Sequence, residues 1–281
     1  MDKAFLRWVA ALVLLALPAA TRAQDISRAE TWGAVAGPAA GPARIIGGTS
    51  LGCIAGAVQL PADGPGWQAV RVGRNRHWGH PAMVTWVQDF AATARARGFP
   101  DLWIGDLSQP RGGPMTFGHA SHQTGIDADI WLDLNPKPRS SPAQRENIPV
   151  VSLVLPDESG VDPRVFTDRH VALIRLAAER PGLDRLLVNH AIKRELCRRH
   201  RGEAWLRRVR PWRGHDSHMH IRLPCPGGQA ECRDIGPPPA GDGCDASLDW
   251  WLSPEARRPL PRPPGPPPRM PAACAGVLAA R

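Results

Sequence analysis

Residues 215–222 read His-Asp-Ser-His-Met-His-Ile-Arg, and residues 127–134 read Asp-Ala-Asp-Ile-Trp-Leu-Asp-Leu. Both stretches alternate polar and apolar side chains, the period of a strand with one face on a core. Over His218–Leu223 the side chains of His218, His220 and Arg222 share one face, and Met219, Ile221 and Leu223 share the other. Over Asp127–Leu134 the front carries Asp127, Asp129, Trp131 and Asp133, and the back carries Ala128, Ile130, Leu132 and Leu134. If the two strands are neighbours in one antiparallel sheet, their polar fronts form a single floor.

The residues just before the second strand add to that floor. Residues 117–126 read Phe-Gly-His-Ala-Ser-His-Gln-Thr-Gly-Ile, so His119 and His122 precede Asp129 closely, and Gly125 lets the chain turn between them. Five of the ten histidines therefore fall in two short segments, 117–129 and 215–222, with Asp127, Asp129 and Asp216. Imidazole nitrogen and carboxylate oxygen are the donors a catalytic zinc ion selects. His122, Asp129 and His220 supply three ligands and leave a fourth position for water, the pattern of a catalytic rather than a structural site. His218, beside His220 on the same face, is the candidate proton-transfer or oxyanion-stabilising group. His215 on the approach loop is a second proton-transfer or substrate-binding candidate. Asp127 is placed to orient a ligating histidine, and Arg222 to hold a substrate carboxylate through its planar fork.

Further elements follow from periodicity. Pro81–Arg97 carries Met83, Trp86, Val87, Phe90 and Ala94 on one face and predicts a helix ending at Gly98. Asp168 is a candidate cap for a helix through Ala178, Ala191–His200 predicts a third, and Glu203–Val209 a short fourth. Strands are predicted at 69–73, 102–105, 127–134, 150–155, 185–188 and 218–223. Without a regular βαβ rhythm this is an α+β chain: a small antiparallel sheet carrying the site, flanked by helices.

The ends and the composition bear on location. Lys3 and Arg7 lead into the apolar run Val9–Leu17, too short to span a bilayer, and Thr21-Arg22-Ala23 offers a cleavage site. Residues 1–23 are read as a signal peptide, residues 24–50 as an extended lead-in, and 51–281 as the domain, with a Pro-rich tail at 259–272. No later stretch is apolar enough for a transmembrane segment. Lys3, Arg7 and Arg22 against Asp2 leave about +7 of the formal +9 to the mature chain. Export argues against nucleic acid as the partner of this charge and favours an anionic cell-envelope polymer. Cys53, Cys197, Cys225, Cys232, Cys244 and Cys274 in an exported chain point to disulfides, and no Cys-x-x-Cys pair suggests a thiolate metal site. Cys225 and Cys232 could close a local loop and Cys53 and Cys274 could tie the two ends, but six cysteines allow fifteen pairings.

Gly118-His119-Ala120-Ser121-His122-Gln123, Gly125, Asp127 and Asp129, taken with Arg210-Pro211-Trp212, Gly214-His215-Asp216, His218, His220 and Arg222, resemble the penicillin-insensitive murein endopeptidases. That family sits in a wider group of zinc peptidases with LytM-type enzymes, D-Ala-D-Ala carboxypeptidases and the hedgehog signalling domain. The group pattern is His-x6-Asp followed by His-x-His, matched by His122 to Asp129 and His218 to His220, and the likeness runs from about Cys53 to Cys274. The resemblance implies a periplasmic zinc endopeptidase cleaving D-alanyl–meso-diaminopimelyl cross-links of peptidoglycan. It implies zinc on His122, Asp129 and His220, with His119 close by and sometimes counted as a ligand. It implies the disulfides Cys53–Cys274, Cys197–Cys244 and Cys225–Cys232. A further Asp-x-x-His metal pair of some members is half matched: Asp157 stands for its Asp, but Gly160 occupies the His position. The same site would also serve a D,D- or L,D-carboxypeptidase acting on stem peptides, or a cell-wall-binding module without turnover.

Overall fold

The computed structural model describes residues 25–258 and 268–280. The expected signal segment and residues 259–267 of the Pro-rich tail lie outside the described residues. The chain is α+β and is tied by three disulfides. In chain order the strands are β1 (Arg44–Gly48), β2 (Leu51–Ala55), β3 (Val58–Gln59), β4 (Asp63–Gly64), β5 (Trp67–Ala69), β6 (Trp78–Gly79), β7 (Leu102–Ile104), β8 (Asp127–Trp131), β9 (Arg185–Val188), β10 (Val209–Pro211) and β11 (His218–Arg222). The α-helices are α1 (Ala29–Gly33), α2 (Pro81–Ala96), α3 (Asp168–Glu179), α4 (His190–His200), α5 (Ala246–Leu252) and α6 (Cys274–Ala279).

The two alternating stretches become neighbours, as their patterns require. β11 pairs antiparallel with β8, so that His220 faces Asp129 and Arg222 faces Asp127 across the ladder. They lie at the centre of a seven-stranded sheet ordered β10-β9-β11-β8-β7-β5-β4. The sheet is larger than expected and mixed. Its site-bearing centre, β9-β11-β8-β7, is antiparallel, whereas β10 joins β9 and β5 joins β7 in parallel.

The apolar back of the sheet, including Ala128, Ile130, Leu186, Val188, Met219 and Ile221, is fully buried and belongs to one core with residues from α2, α3 and α4. In α2, Met83, Val87, Phe90 and Ala94 recur at helical spacing and have no exposed surface. Pro81 opens this helix and the His80 side chain caps it, accepting from the Ala82 amide. Asn189 caps α4 through the Ala191 amide. The N-cap of α3 is Thr167 rather than Asp168, in a reciprocal box with His170.

Several sequence expectations shift. Residues 150–155 form no strand, only a single bridge from Val154 to Val161. Pro149 and Pro156 flank the run, Val150 is exposed, and the Leu153 amide donates to Asp216 O instead of to a ladder. The strand expected at 69–73 ends at Ala69, because Arg71 turns left-handed (φ 54°) into a 3-10 turn. The segment 203–209 is a 3-10 helix at Ala204–Arg208, and Val209 already starts β10. The lead-in is more than extended chain: it contains α1 and β1. Trp32 and Ile46 from it join Cys53, Cys274, Val277 and Leu278 in a second small core. The disulfides are Cys53–Cys274, Cys197–Cys244 and Cys225–Cys232, the pairing the resemblance implies. Among the described residues no helix is long and apolar enough to cross a membrane.

Candidate metal centre

The front of β8 and β11 is buried too, although it is polar. Asp127, Asp129 and His220 are almost wholly withdrawn from solvent, and so is His122 from the loop before β8. That loop reaches the sheet through Gly125, whose φ of +71° and close neighbours (a Cβ would lie 2.8 Å from the His80 amide nitrogen) suit glycine alone. His122 and His215 are themselves left-handed (φ 67° and 55°), a conformation that costs a histidine energy and that clusters at functional sites.

His119, His122 and Asp129 offer ligand atoms within 4.8 Å of one another, a group that could hold a metal ion. His220 closes in on the same point. Its Nδ1 lies 3.0 Å from His122 Nε2 and 3.2 Å from Asp129 Oδ1, and His122 Nε2 lies 3.4 Å from Asp129 Oδ1. Tetrahedral zinc with bonds of about 2.0–2.1 Å has ligand atoms roughly 3.3 Å apart, so this triangle has the dimensions of three ligands on one ion. Asp129 Oδ1, at its corner, is buried without a hydrogen-bond partner. A buried carboxylate oxygen in that state calls for a cation. The donor set therefore fits zinc. His119 Nδ1 is 3.6 Å from Asp129 Oδ2, on the side away from His220's contact with Oδ1.

Other groups set which ring nitrogens face the centre. His122 Nδ1 donates to Leu107 O at 2.6 Å, leaving Nε2 with its lone pair toward Asp129. His119 Nε2 is bonded to Asp106 Oδ2 at 3.2 Å, leaving Nδ1 inward. Asp106 is buried and also takes Arg76 (3.1 Å) and Arg74 (3.4 Å). Sequence reading missed Asp106, a lone acid after a short strand whose role depends on partners distant in the chain. Asp127 accepts the His122 amide (2.9 Å) and the Arg222 fork (2.7 and 3.1 Å), and its Oδ1 lies 3.3 Å from His220 Nε2. Arg222 is thus engaged with Asp127 rather than presented to a substrate carboxylate.

Charge follows from these contacts. Burial would raise the Asp127 pKa, but Arg222 and His220 hold it far below the usual carboxylate range. Burial likewise opposes ionisation of Asp129, and the surrounding imidazoles hold its pKa well below normal. For His220 burial works against the charged form, yet Asp127 outweighs it and raises the pKa to about 9. His215 is the reverse: burial, aided by His218 and His220, lowers it to about 3, so it is neutral at physiological pH. Its Nδ1 is bonded to Arg213 O at 2.7 Å, and its ring is 4.8 Å from that of His218. His218 is partly exposed, with Nε2 3.6 Å from Asp129 Oδ2. The centre opens into a cleft of about 750 Å³ whose lining includes His119, His215 and His220. Asp157 takes no part. It is exposed in a turn, where it accepts the Ser159 amide, and it belongs to no metal-sized cluster among the described residues.

A mixed sheet with a buried His/His/Asp group under a cleft defines a protein with a site that could hold a metal ion. A family model described as penicillin-insensitive murein endopeptidase matches residues 45–279, and the chain belongs to that family. A penicillin-insensitive murein endopeptidase of Haemophilus influenzae is 43% identical over 217 residues, 76% of this chain and 75% of its own length. That of Klebsiella pneumoniae is 41% identical over 251 residues (89% and 91%), and that of Yersinia enterocolitica 38% over 273 residues (97% of each).

Proposed function

We propose that this chain is a zinc-dependent endopeptidase that hydrolyses the D-alanyl–meso-diaminopimelyl cross-links of peptidoglycan in the periplasm. The observation that carries the reading is the 3.0–3.4 Å triangle of His122 Nε2, Asp129 Oδ1 and His220 Nδ1 at the floor of a cleft, in a chain of the murein endopeptidase family. Three disulfides among the described residues support an oxidising compartment.

His122, Asp129 and His220 would hold the ion, with His119 as a further donor. Zinc held there would supply Lewis acidity and an activated water near neutral pH. Asp127 keeps His220 in place and offsets charge at its outer nitrogen; Asp106 does the same for His119. His218 takes the water proton or stabilises the oxyanion. His215, kept neutral, is a hydrogen-bond acceptor or proton carrier at the cleft. No serine is acylated in this scheme, and β-lactams act by acylating one, so insensitivity to penicillin follows.

The test is chromatography of purified cross-linked muropeptide dimers incubated with the mature protein, with chelator and after zinc is restored. Conversion of dimers to monomers that stops with chelator and returns with zinc supports the reading. Loss of terminal D-Ala from intact dimers would mean a carboxypeptidase, and no change at all a binding module. His122→Ala and Asp129→Ala should each lose stoichiometric zinc and at least about a thousandfold in turnover, on the scale of removing a main catalytic contributor. Full activity and full zinc content in His122→Ala would sink the ligand assignment.

A further inference from the structure

The cleft extends from the metal centre along the sheet into a wall of arginines: Arg185, Arg210, Arg213, Arg222 and Arg233, with Asp234 the one acid among its described lining residues. Two of them are engaged by carboxylates, Arg222 by Asp127 and Arg185 by Asp184 at 2.6 Å. Arg210 and Arg213 have no carboxylate within ion-pair distance among the described residues; both line the cleft, and Arg213 Nη2 is withdrawn from solvent without a hydrogen-bond partner. A buried guanidinium nitrogen left unmatched is costly in the free protein and favours a ligand that brings an acceptor.

Register places these groups relative to the reaction. Asp129 faces His220, His220 faces Leu187, and Leu187 faces Arg210, so one cross-strand row runs from the metal ligands to Arg210. Two strand spacings put the Arg210 backbone on the order of 10 Å from that of His220. Arg213 follows in the turn after β10, two residues before His215, whose Nδ1 its carbonyl holds. Gly243 leaves room beside β10 for the Arg210 guanidinium, since a Cβ there would meet Nη1 at 2.6 Å.

We propose that Arg213 and Arg210 form an anion subsite that binds the free carboxylate borne by the carbon next to the scissile nitrogen, and so selects unamidated over amidated cross-links. This rests on the endopeptidase reading for its substrate: in a D-alanyl–meso-diaminopimelyl bridge that carbon carries a carboxylate. The planar fork of arginine matches it with paired hydrogen bonds, and a carboxamide of the same shape brings no charge and an NH2 that the guanidinium cannot accept from.

The experiment compares two dimers, identical except that the carboxylate is free in one and a carboxamide in the other. Hydrolysis is followed by chromatography and binding by calorimetry, for the wild type, Arg213→Ala, Arg210→Ala and Arg213→Lys, each checked for folding by thermal melting. The wild type should prefer the free acid by about 10- to 100-fold in kcat/KM and in affinity, the range of a charge-assisted hydrogen bond. The preference should shrink with added salt, fall to within a few-fold of unity in Arg213→Ala, fall in Arg210→Ala, and persist in part in Arg213→Lys. Equal handling of both dimers by the wild type overturns the subsite, as does an undiminished preference in both alanine variants. Cutting of both dimers at one rate sinks the subsite and leaves the endopeptidase standing. Selective binding without cutting does the opposite, and neither binding nor cutting sinks both.

Discussion

Asp127 holds three partners in a space closed to water: the His122 amide, the Arg222 fork and the outer nitrogen of His220. Replacing it by Asn keeps the shape and removes the charge. Arg222 is then buried beside a neutral group, and breaking a buried pair from one side costs about 3–5 kcal/mol. The loss of the carboxylate behind a ligating histidine weakens metal binding about 10- to 100-fold. Asp127→Asn should therefore show both a lower denaturation midpoint and weaker zinc affinity by competitive titration; a normal affinity would mean that Asp127 serves stability alone. Gly125→Ala tests the approach to the site differently. A methyl group there meets the His80 amide nitrogen at 2.8 Å in a backbone of positive φ. We expect a loss of about 1–3 kcal/mol by urea unfolding, with the metal ligands chemically intact.

At the level of elements, α4 is locked to its neighbours by a buried lysine. Lys193 has no exposed surface and donates to Leu206 O (2.9 Å) and Asp242 O (2.6 Å), joining α4 to the 3-10 turn before β10 and to the loop beyond β11. Burial, with Arg210 nearby, lowers its pKa to about 7 from 10.5. In the unfolded chain the lysine stays protonated up to its ordinary pKa, so between pH 7 and 10.5 the unfolded state binds more protons and stability rises with pH. Below pH 7 both states are protonated and this contribution is flat. Urea unfolding at pH 7 and pH 9 should show a rise of up to about 1.4 kcal/mol per pH unit for the wild type. The rise should be absent in Lys193→Met, which is less stable outright because two carbonyls lose their donor. Equal slopes in the two proteins would refute the assignment.

The elements themselves were legible to different degrees. β8, β11, α2 and α4 lie within a few residues of their sequence-based positions because each carries an unbroken period of one kind, and β9 does so as a short apolar run. β1 and β2 were not legible: Arg44–Gly48 and Leu51–Ala55 are short and glycine-bearing, and they become strands by pairing with each other. β10 was hidden because Val209–Pro211 runs straight out of a helical turn, and its proline is tolerated only because the strand lies at the sheet edge.

Across the whole molecule, the Cys53–Cys274 bridge spans 221 residues and pins α6 and the β1–β2 hairpin into one small core. Closing so long a loop restricts the unfolded chain strongly. Replacing both cysteines by Ala should lower stability by about 2–5 kcal/mol in chemical denaturation. Neither cysteine is hydrogen-bonded to a ligand residue, so zinc stoichiometry in the folded double variant should be unchanged; loss of zinc would show that the hairpin, through Thr49 and Gly52 on Gln123, holds the His122 loop in place.

By itself the sequence determined the two alternating strands, the faces that bear His220 and Asp129, the helices that cover their backs, and the number of cysteines available to pair, because all of these are periodic or countable along a local stretch. Its motif also pointed to the family and the disulfide pairing. Only the tertiary structure decided the partners. His122 meets His220 across 98 residues, Arg222 meets Asp127 across 95, and Asp106 turns His119 inward from the loop after a short strand that carries no motif. Which nitrogen of each histidine faces the centre depends on a carbonyl or carboxylate brought there by folding, and whether an arginine is spent or free depends on which acids come within reach. Burial then fixes the charge on each group, and burial belongs to the packed molecule rather than to any segment of it.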